Sequence, residues 1–192
     1  MMEFSKFESG LYLCIANIFG VDANMNGYEY SDGFRSGHVL LGDDSDPVQV
    51  VFSFPRESND CYLMITDGDP KQLAREMAAL QEYNENEAHL CKGHTVPTKN
   101  SYLNDAGWNS YLITTPRFSY ADFPLSNDID GREIRFHLAL PLTHREKELK
   151  MREGLECLID QFERINRDTI TFNQKACSGQ ATEPITNFKG CS

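Results

Sequence analysis

The stretch EIRFHLALPLTHRE, residues 133–146, limits the possible folds more than any other part of the chain, because its hydrophobic period changes within it. Ile134, Phe136, Leu138 and Leu140 alternate with Glu133, Arg135 and His137, and only Ala139 blurs the pattern. A period of two places the first set on one face of an extended segment, so these residues predict a half-buried antiparallel strand. Directly after it, Thr143 and Glu146 have the T-x-x-E spacing of a capping box, in which two side chains satisfy backbone N–H groups that a first helical turn leaves unpaired. The strand therefore runs straight into a long helix, with Leu155, Leu158, Ile159, Phe162 and Ile165 on its inner face.

Other segments carry the same two signals. Phe4, Phe7, Leu11, Cys14, Ile15 and Ile18 recur at helical spacing until Gly20, predicting an opening amphipathic helix that Gly10 weakens. GHVLLG and DPVQVVFSFP read as strands, the second rich in β-branched and aromatic residues between Pro47 and Pro55. RESND then turns the chain and CYLMIT returns as another strand, which predicts a hairpin. A further helix has Asp69 as cap, Pro70 at its first position and Gln72 where a capping-box partner belongs; Leu73, Met77 and Leu80 form its apolar stripe, and it is expected to end near Tyr83. The long connection after it is punctuated by Gly93, Pro97 and Gly107, YLITTP reads as a short strand, and the polar segment to NDIDG reads as a loop ending in a turn. From Asn173 onward the chain looks like a loosely attached polar tail, which leaves 1–172 as one domain.

Charge narrows the function classes. Residues 1–70 carry 12 Asp and Glu against 3 Lys and Arg, whereas residues 71–192 carry 17 against 15, so the net −11 belongs mostly to the first third. Such a surface repels a phosphate backbone, which argues against nucleic acid, and attracts a basic protein. A solvated face that only aids solubility accounts for the charge equally well. Within this region Glu29, Asp32, Asp43, Asp44, Asp46 and Asp67 are the candidate protein-binding residues. No stretch reaches the roughly 18 uninterrupted apolar residues of a membrane span. Leu11 to Phe19 contains Asn17 and follows Glu3 and Glu8, unlike a secretory signal, so a cytoplasmic protein is expected. Six cysteines scattered without C-x-x-C pairs read as reduced structural thiols, Cys14 and Cys157 on buried helix faces; only Cys177 and Cys191 are placed to bridge in an oxidising compartment.

Three possible chemical sites fail on spacing. GVDANMNGYEYSDG offers Asp22, Asn24 and Asn26 at alternate positions with Gly27 following, as in a calcium loop. The bidentate Glu needed at position 12 is Gly33, Glu29 sits at position 8, and FRSGHVLLG continues as strand instead of helix. A polar loop of turn-favouring residues explains the pattern better. His89, Cys91 and His94 lack a fourth zinc ligand nearby, and a Cys91–His94 nucleophile pair lacks an orienting third group. The chain has no G-x-S-x-G, P-loop, G-x-G-x-x-G or H-E-x-x-H motif, so no catalytic residue, metal or cofactor is assigned.

The order of features carries a resemblance. The helix DPKQLAREMAALQEYN, the turn CKGHTVP with Gly93 and His94, the strand YLITTP, and LALPLTHREKELKMREGLECLIDQF with Pro141, Leu142, Thr143, Glu146 and Gly154 together resemble the suppressor-of-fused family over about Asp69 to Phe162. DPVQVVFSFPRESNDCYLMITDG is similar to that family's strand pair. The resemblance implies an α+β domain, a mixed and largely antiparallel sheet packed against helices, without catalytic machinery and working by binding other proteins. Animal relatives sequester Gli-type transcription factors, and small bacterial relatives look like immunity proteins that neutralise a toxin. The expected function is therefore an immunity protein for a cognate, possibly basic, toxin. The alternative is a regulatory module that sequesters a peptide or transcription factor by adding a strand to an open sheet edge.

Overall fold

A computed structural model describes residues 3–30, 32–42, 47–118, 122–170 and 172. Alternating side chains on β3 (Gln49–Phe54) and β4 (Asp60–Thr66) are buried on both faces, so these strands need cover on both sides. Val50, Phe52, Phe54, Cys61, Leu63 and Ile65 point to a cluster shared with Leu11, Tyr12 and Ile15 of α1 (Lys6–Phe19). Val51, Tyr62 and Met64 point the other way, onto Leu73, Met77 and Leu80 of α2 (Pro70–Asn86). The sheet thus lies between two helical layers.

Its strand order is β1-β2-β3-β4-β8-β6-β5, with β7 on β8. The outer strands are β1 (Asn26–Glu29), β2 (Arg35–Leu40), β5 (Thr95–Pro97), β6 (Trp108–Thr114) and β7 (Ser126–Ile129). β8 (Arg132–Thr143) is the long alternating strand, and every pairing is antiparallel except β4 with β8. The expected α+β class and the β3–β4 hairpin are both present.

Several boundaries differ from the sequence reading, each for a local reason. The helix after Thr143 is two helices, α4 (His144–Glu153) and α5 (Leu155–Ile165), because Gly154 adopts φ 94° and ψ 175°, a conformation open only to glycine. The Thr143–Glu146 box forms as predicted, and a second one, Ser5 with Glu8, opens α1. α2 is capped by Asp69 Oδ1 accepting from the Lys71 N–H at 2.9 Å, one residue earlier than a box through Gln72 requires, and it continues past Tyr83 to Asn86. The long connection contains β5 and the short helix α3 (Ser101–Asp105). The segment read as a loop ending at NDIDG contains β7, which includes the NDI of that sequence and is joined to β8 by Asp130 (φ 52°) and Gly131 (φ 82°), the paired positive angles of a type I′ hairpin turn. The expected tail, 173–192, lies outside the described residues.

The calcium-like stretch is an edge strand. Asn26–Glu29 pairs with 35–38 of β2, and the Tyr12 hydroxyl sits beneath it, donating to the carbonyl oxygens of Asn24 (2.5 Å) and His38 and accepting from the Asn26 N–H at 3.2 Å. Gly27 faces Gly37, where a Cβ would come within 2.9 Å of the Phe52 ring. The Asn and Gly residues there serve backbone approach and turn geometry.

Candidate protein-binding cleft

The single parallel pairing is where the sheet changes character. β4 and β8 are in register over 60–63 and 135–138. At the start of this ladder Asp60 is 1% exposed. Arg135 grips its carboxylate in a bidentate fork, Nη2 to Oδ2 and Nε to Oδ1 both at 3.0 Å, and His137 Nε2 donates to Oδ1 at 2.8 Å. His89 Nδ1 stands 3.8 Å from Oδ2. Burial alone would raise the Asp60 pKa, but His137 and Arg135 hold it below the usual carboxylate range. His137 in turn stacks on Tyr62, with ring centroids 5.3 Å apart, and burial pushes the Tyr62 phenol upward. This end of the junction is locked.

Beyond Leu63 and Leu138 the two strands part. Met64 and Ile65 on one side and Leu138, Ala139, Leu140 and Pro141 on the other wall a cavity of about 190 Å³, with Arg117 and Phe118 at its mouth. Pro141, three residues past the last pair of the ladder, removes a backbone donor from the same edge. Its carbonyl oxygen accepts from Arg167 Nη2 at 2.6 Å. In a strand the N and O of one residue point the same way, so the missing Pro141 N–H is lost from the side facing Arg167. β8 continues beside β6 through Thr143, so it is extended backbone with one edge released from its neighbour.

The chain beyond α5 crosses this opening. Arg167 donates from Nε to Glu146 Oε1 at 2.6 Å and lies over the rings of Phe162 and Trp108, 4.7 and 5.1 Å from their centroids. Ile170 O accepts from the Asp67 N–H at 3.3 Å. Phe172 donates its N–H to Asp67 Oδ1, accepts at its carbonyl from Trp108 Nε1 (2.7 Å), and stacks on Tyr102 at 4.6 Å. The chain leaves α5 on one face of the sheet and buries Phe172 in the cluster on the other.

The acidic candidates are not gathered into one patch. Glu29 is ion-paired with Arg35 at 3.2 Å, and Asp32 accepts from the Phe34 N–H at 3.0 Å near Glu82, whose pKa rises through burial and the Asp32 charge. Asp67 is at the opposite end of the strands, holding Phe172. Asp43, Asp44 and Asp46 lie outside the described residues. Among the described residues no group of three His, Cys, Asp or Glu is placed to hold a metal. Cys91 Sγ is 3.4 Å from His94 Nε2, on the surface, while His89 turns instead to Asp60. Cys14 and Cys157 are half-buried, less so than their spacing suggested, and Cys177 and Cys191 lie outside the described residues. Cys61 is fully buried, which pushes its thiol pKa far up. Sequence reading assigned Arg135 and His137 to an outward face but gave no role to Asp60; its partners lie 75 and 77 residues away and no local pattern links them.

A sheet covered on both faces, interrupted between two central strands, defines an α+β domain. The chain belongs to the suppressor of fused family, whose sequence profile, described as suppressor of fused protein, matches residues 48–172. Three solved structures share the fold. A suppressor of fused homolog from Neisseria gonorrhoeae superposes with a TM-score of 0.71 at 16% identity, covering 91% of this chain and 98% of that one. A Sufu–Fu complex gives 0.59 at 11% identity, covering 86% and 89%. Drosophila Suppressor of Fused gives 0.58 at 12%, covering 86% of this chain and 49% of that chain. No curated protein matches the sequence.

Proposed function

We propose that this chain is a non-catalytic binding protein that holds an extended segment of a protein partner at the opening between β4 and β8. The observation that carries the reading is the interrupted ladder: two central strands part at an apolar cavity, and Pro141 leaves the β8 edge of that gap without a backbone donor at its position. An added strand can use backbone groups that the parting strands release, and Met64, Leu138 and Phe118 supply apolar contact. A complex of Sufu with Fu among the structural relatives is consistent with a protein partner. The free thiols of Cys14, Cys61 and Cys91 fit a reducing, cytoplasmic setting.

The partner's biological role is proposed as a toxin neutralised by this chain, with the acidic first third, and Glu29 and Asp32 in particular, speeding the approach of a basic surface. Sequestering a peptide or transcription factor uses the same cleft. Photo-crosslinking separates the cleft from the acidic face: a crosslinking side chain replaces Arg117 at the mouth of the cavity or, in a second variant, Asp32. Partner captured from native lysate is expected to form its adduct at position 117. An adduct at position 32 alone overturns the cleft reading.

A further inference from the structure

We propose that Arg167 to Ile170, with Phe172, form a displaceable strap that occupies the partner's place in the cleft, so that binding requires the chain to release its own segment. The inference rests on the cleft reading above and adds a built-in competitor to it. Thr169 and Ile170 form part of the cavity wall, where an incoming strand would pass. Among the described residues the segment has one backbone–backbone bond to β4, Asp67 N–H to Ile170 O at 3.3 Å, which is longer than an ordinary ladder bond. Its attachment comes instead from two side-chain anchors at its ends. Arg167 is held by Glu146, Pro141 O and two aromatic faces, and Phe172 by Tyr102, Trp108 and Asp67. Between them Thr169 is exposed and Ile170 half-buried. A segment whose described attachments are two end anchors and one long backbone bond can peel away without breaking the sheet.

Gly68 identifies the Phe172 seat as a fitted one. A Cβ there would lie 2.8 Å from Phe172 Cγ and 3.1 Å from Phe172 Cβ and Leu73 Cδ1, and Gly68 is not among the glycines at positive φ. Gly68→Ala therefore pushes against the strap's anchor while leaving the strap's own residues intact. Trp108, the only tryptophan of the chain, is 2% exposed beneath Arg167 and bonded to Phe172, so its emission reports whether the strap is seated.

The test uses the full chain and a fluorescein-labelled synthetic peptide, NRDTITF, which is the strap's sequence preceded by Asn166. Wild-type protein keeps its cleft filled and binds the peptide weakly. Phe172→Ala lowers the occupancy of the strap, red-shifts Trp108 emission, and binds the peptide about tenfold or more tightly, because apparent affinity scales with the fraction of open cleft, whereas Gly68→Ala, which crowds the seat for strap and peptide alike, red-shifts the emission without that gain. Adding peptide reverses the emission shift of Phe172→Ala. Equal peptide affinity in wild type and Phe172→Ala, or an emission shift in Phe172→Ala that peptide does not reverse, overturns the proposal. Native-state hydrogen exchange of wild type guards against a variant that fails to fold. The Asp67 amide is expected to exchange through local opening, at least about tenfold faster than amides in β3. Exchange of that amide only with global unfolding overturns the strap, yet leaves the cleft standing if the position-117 adduct forms. Absence of that adduct removes the cleft reading instead.

Discussion

Replacing Asp60 by Asn tests the lock at the start of the parallel junction. The carboxylate is 1% exposed and holds Arg135 and His137 at 3.0 and 2.8 Å. Removing one member of a fully buried charge pair costs about 3–5 kcal/mol, because the other is stranded. Here the Arg135 side chain is 53% exposed and can rehydrate, and Asn keeps one acceptor oxygen. The expected loss is therefore about 2 kcal/mol, roughly 4–8 °C in Tm for a chain of this size. The pH dependence follows from the direction of the shift. Asp60 titrates lower in the folded protein, so its contribution is complete above the unfolded value, about pH 4, and is lost as pH falls through the folded value. Urea unfolding of both proteins from pH 7 to pH 2.5 measures it: the difference should be constant above about pH 5 and shrink below about pH 4. A difference under about 0.5 kcal/mol at pH 7, or one that does not change with acid, refutes the account of the junction.

Three other outcomes follow from particular contacts. Glu85 Oε1 accepts from the backbone N–H groups of Arg56, Glu57 and Ser58 at 2.9, 3.3 and 3.3 Å, so Glu85→Ala should destabilise the β3–β4 turn by about 1–3 kcal/mol, read as a fall in urea midpoint with unchanged m. Gly154→Ala forces a side chain into φ 94° and should lower stability by about 1–3 kcal/mol, whereas the same substitution at Gly10, at φ below zero, meets only an Ile129 methyl 3.2 Å away and should do less. Thiol labelling followed by mass spectrometry should modify exposed Cys91 first and Cys61 last, since Cys61 is fully buried and its thiolate is disfavoured; early labelling of Cys61 would contradict the packing of that cluster.

The parts of this structure legible in sequence are those with a local cause. The alternation in β8, the Thr143–Glu146 box, Pro70 at the start of α2 and the β3–β4 hairpin each depend on neighbours a few residues apart. β5, α3 and β7 are short, at 3, 5 and 4 residues, so no period can establish itself within them. Gly154 was visible as a residue inside a helical pattern, but only its backbone angle makes it a break between two helices. The site is harder still. Asp60 meets Arg135 and His137 because two strands far apart in the chain become parallel neighbours, and the crossing of Arg167 and Phe172 over the cleft depends on where α5 ends. Summed negative charge was legible, but its distribution was not: Glu29 and Asp67 fall at opposite ends of the strands, one paired with Arg35 and the other holding Phe172.

Hydrogen exchange of the chain alone and in complex with its captured partner reads the cleft directly. The account predicts slowed exchange at the amides of Ile65 and Asp67 and of Ala139, whose N–H groups face the gap, whereas those of Met64 and Leu140 point to β3 and β6. Protection confined to β1 and the Asp32 turn, with the gap-facing amides unchanged, would contradict it.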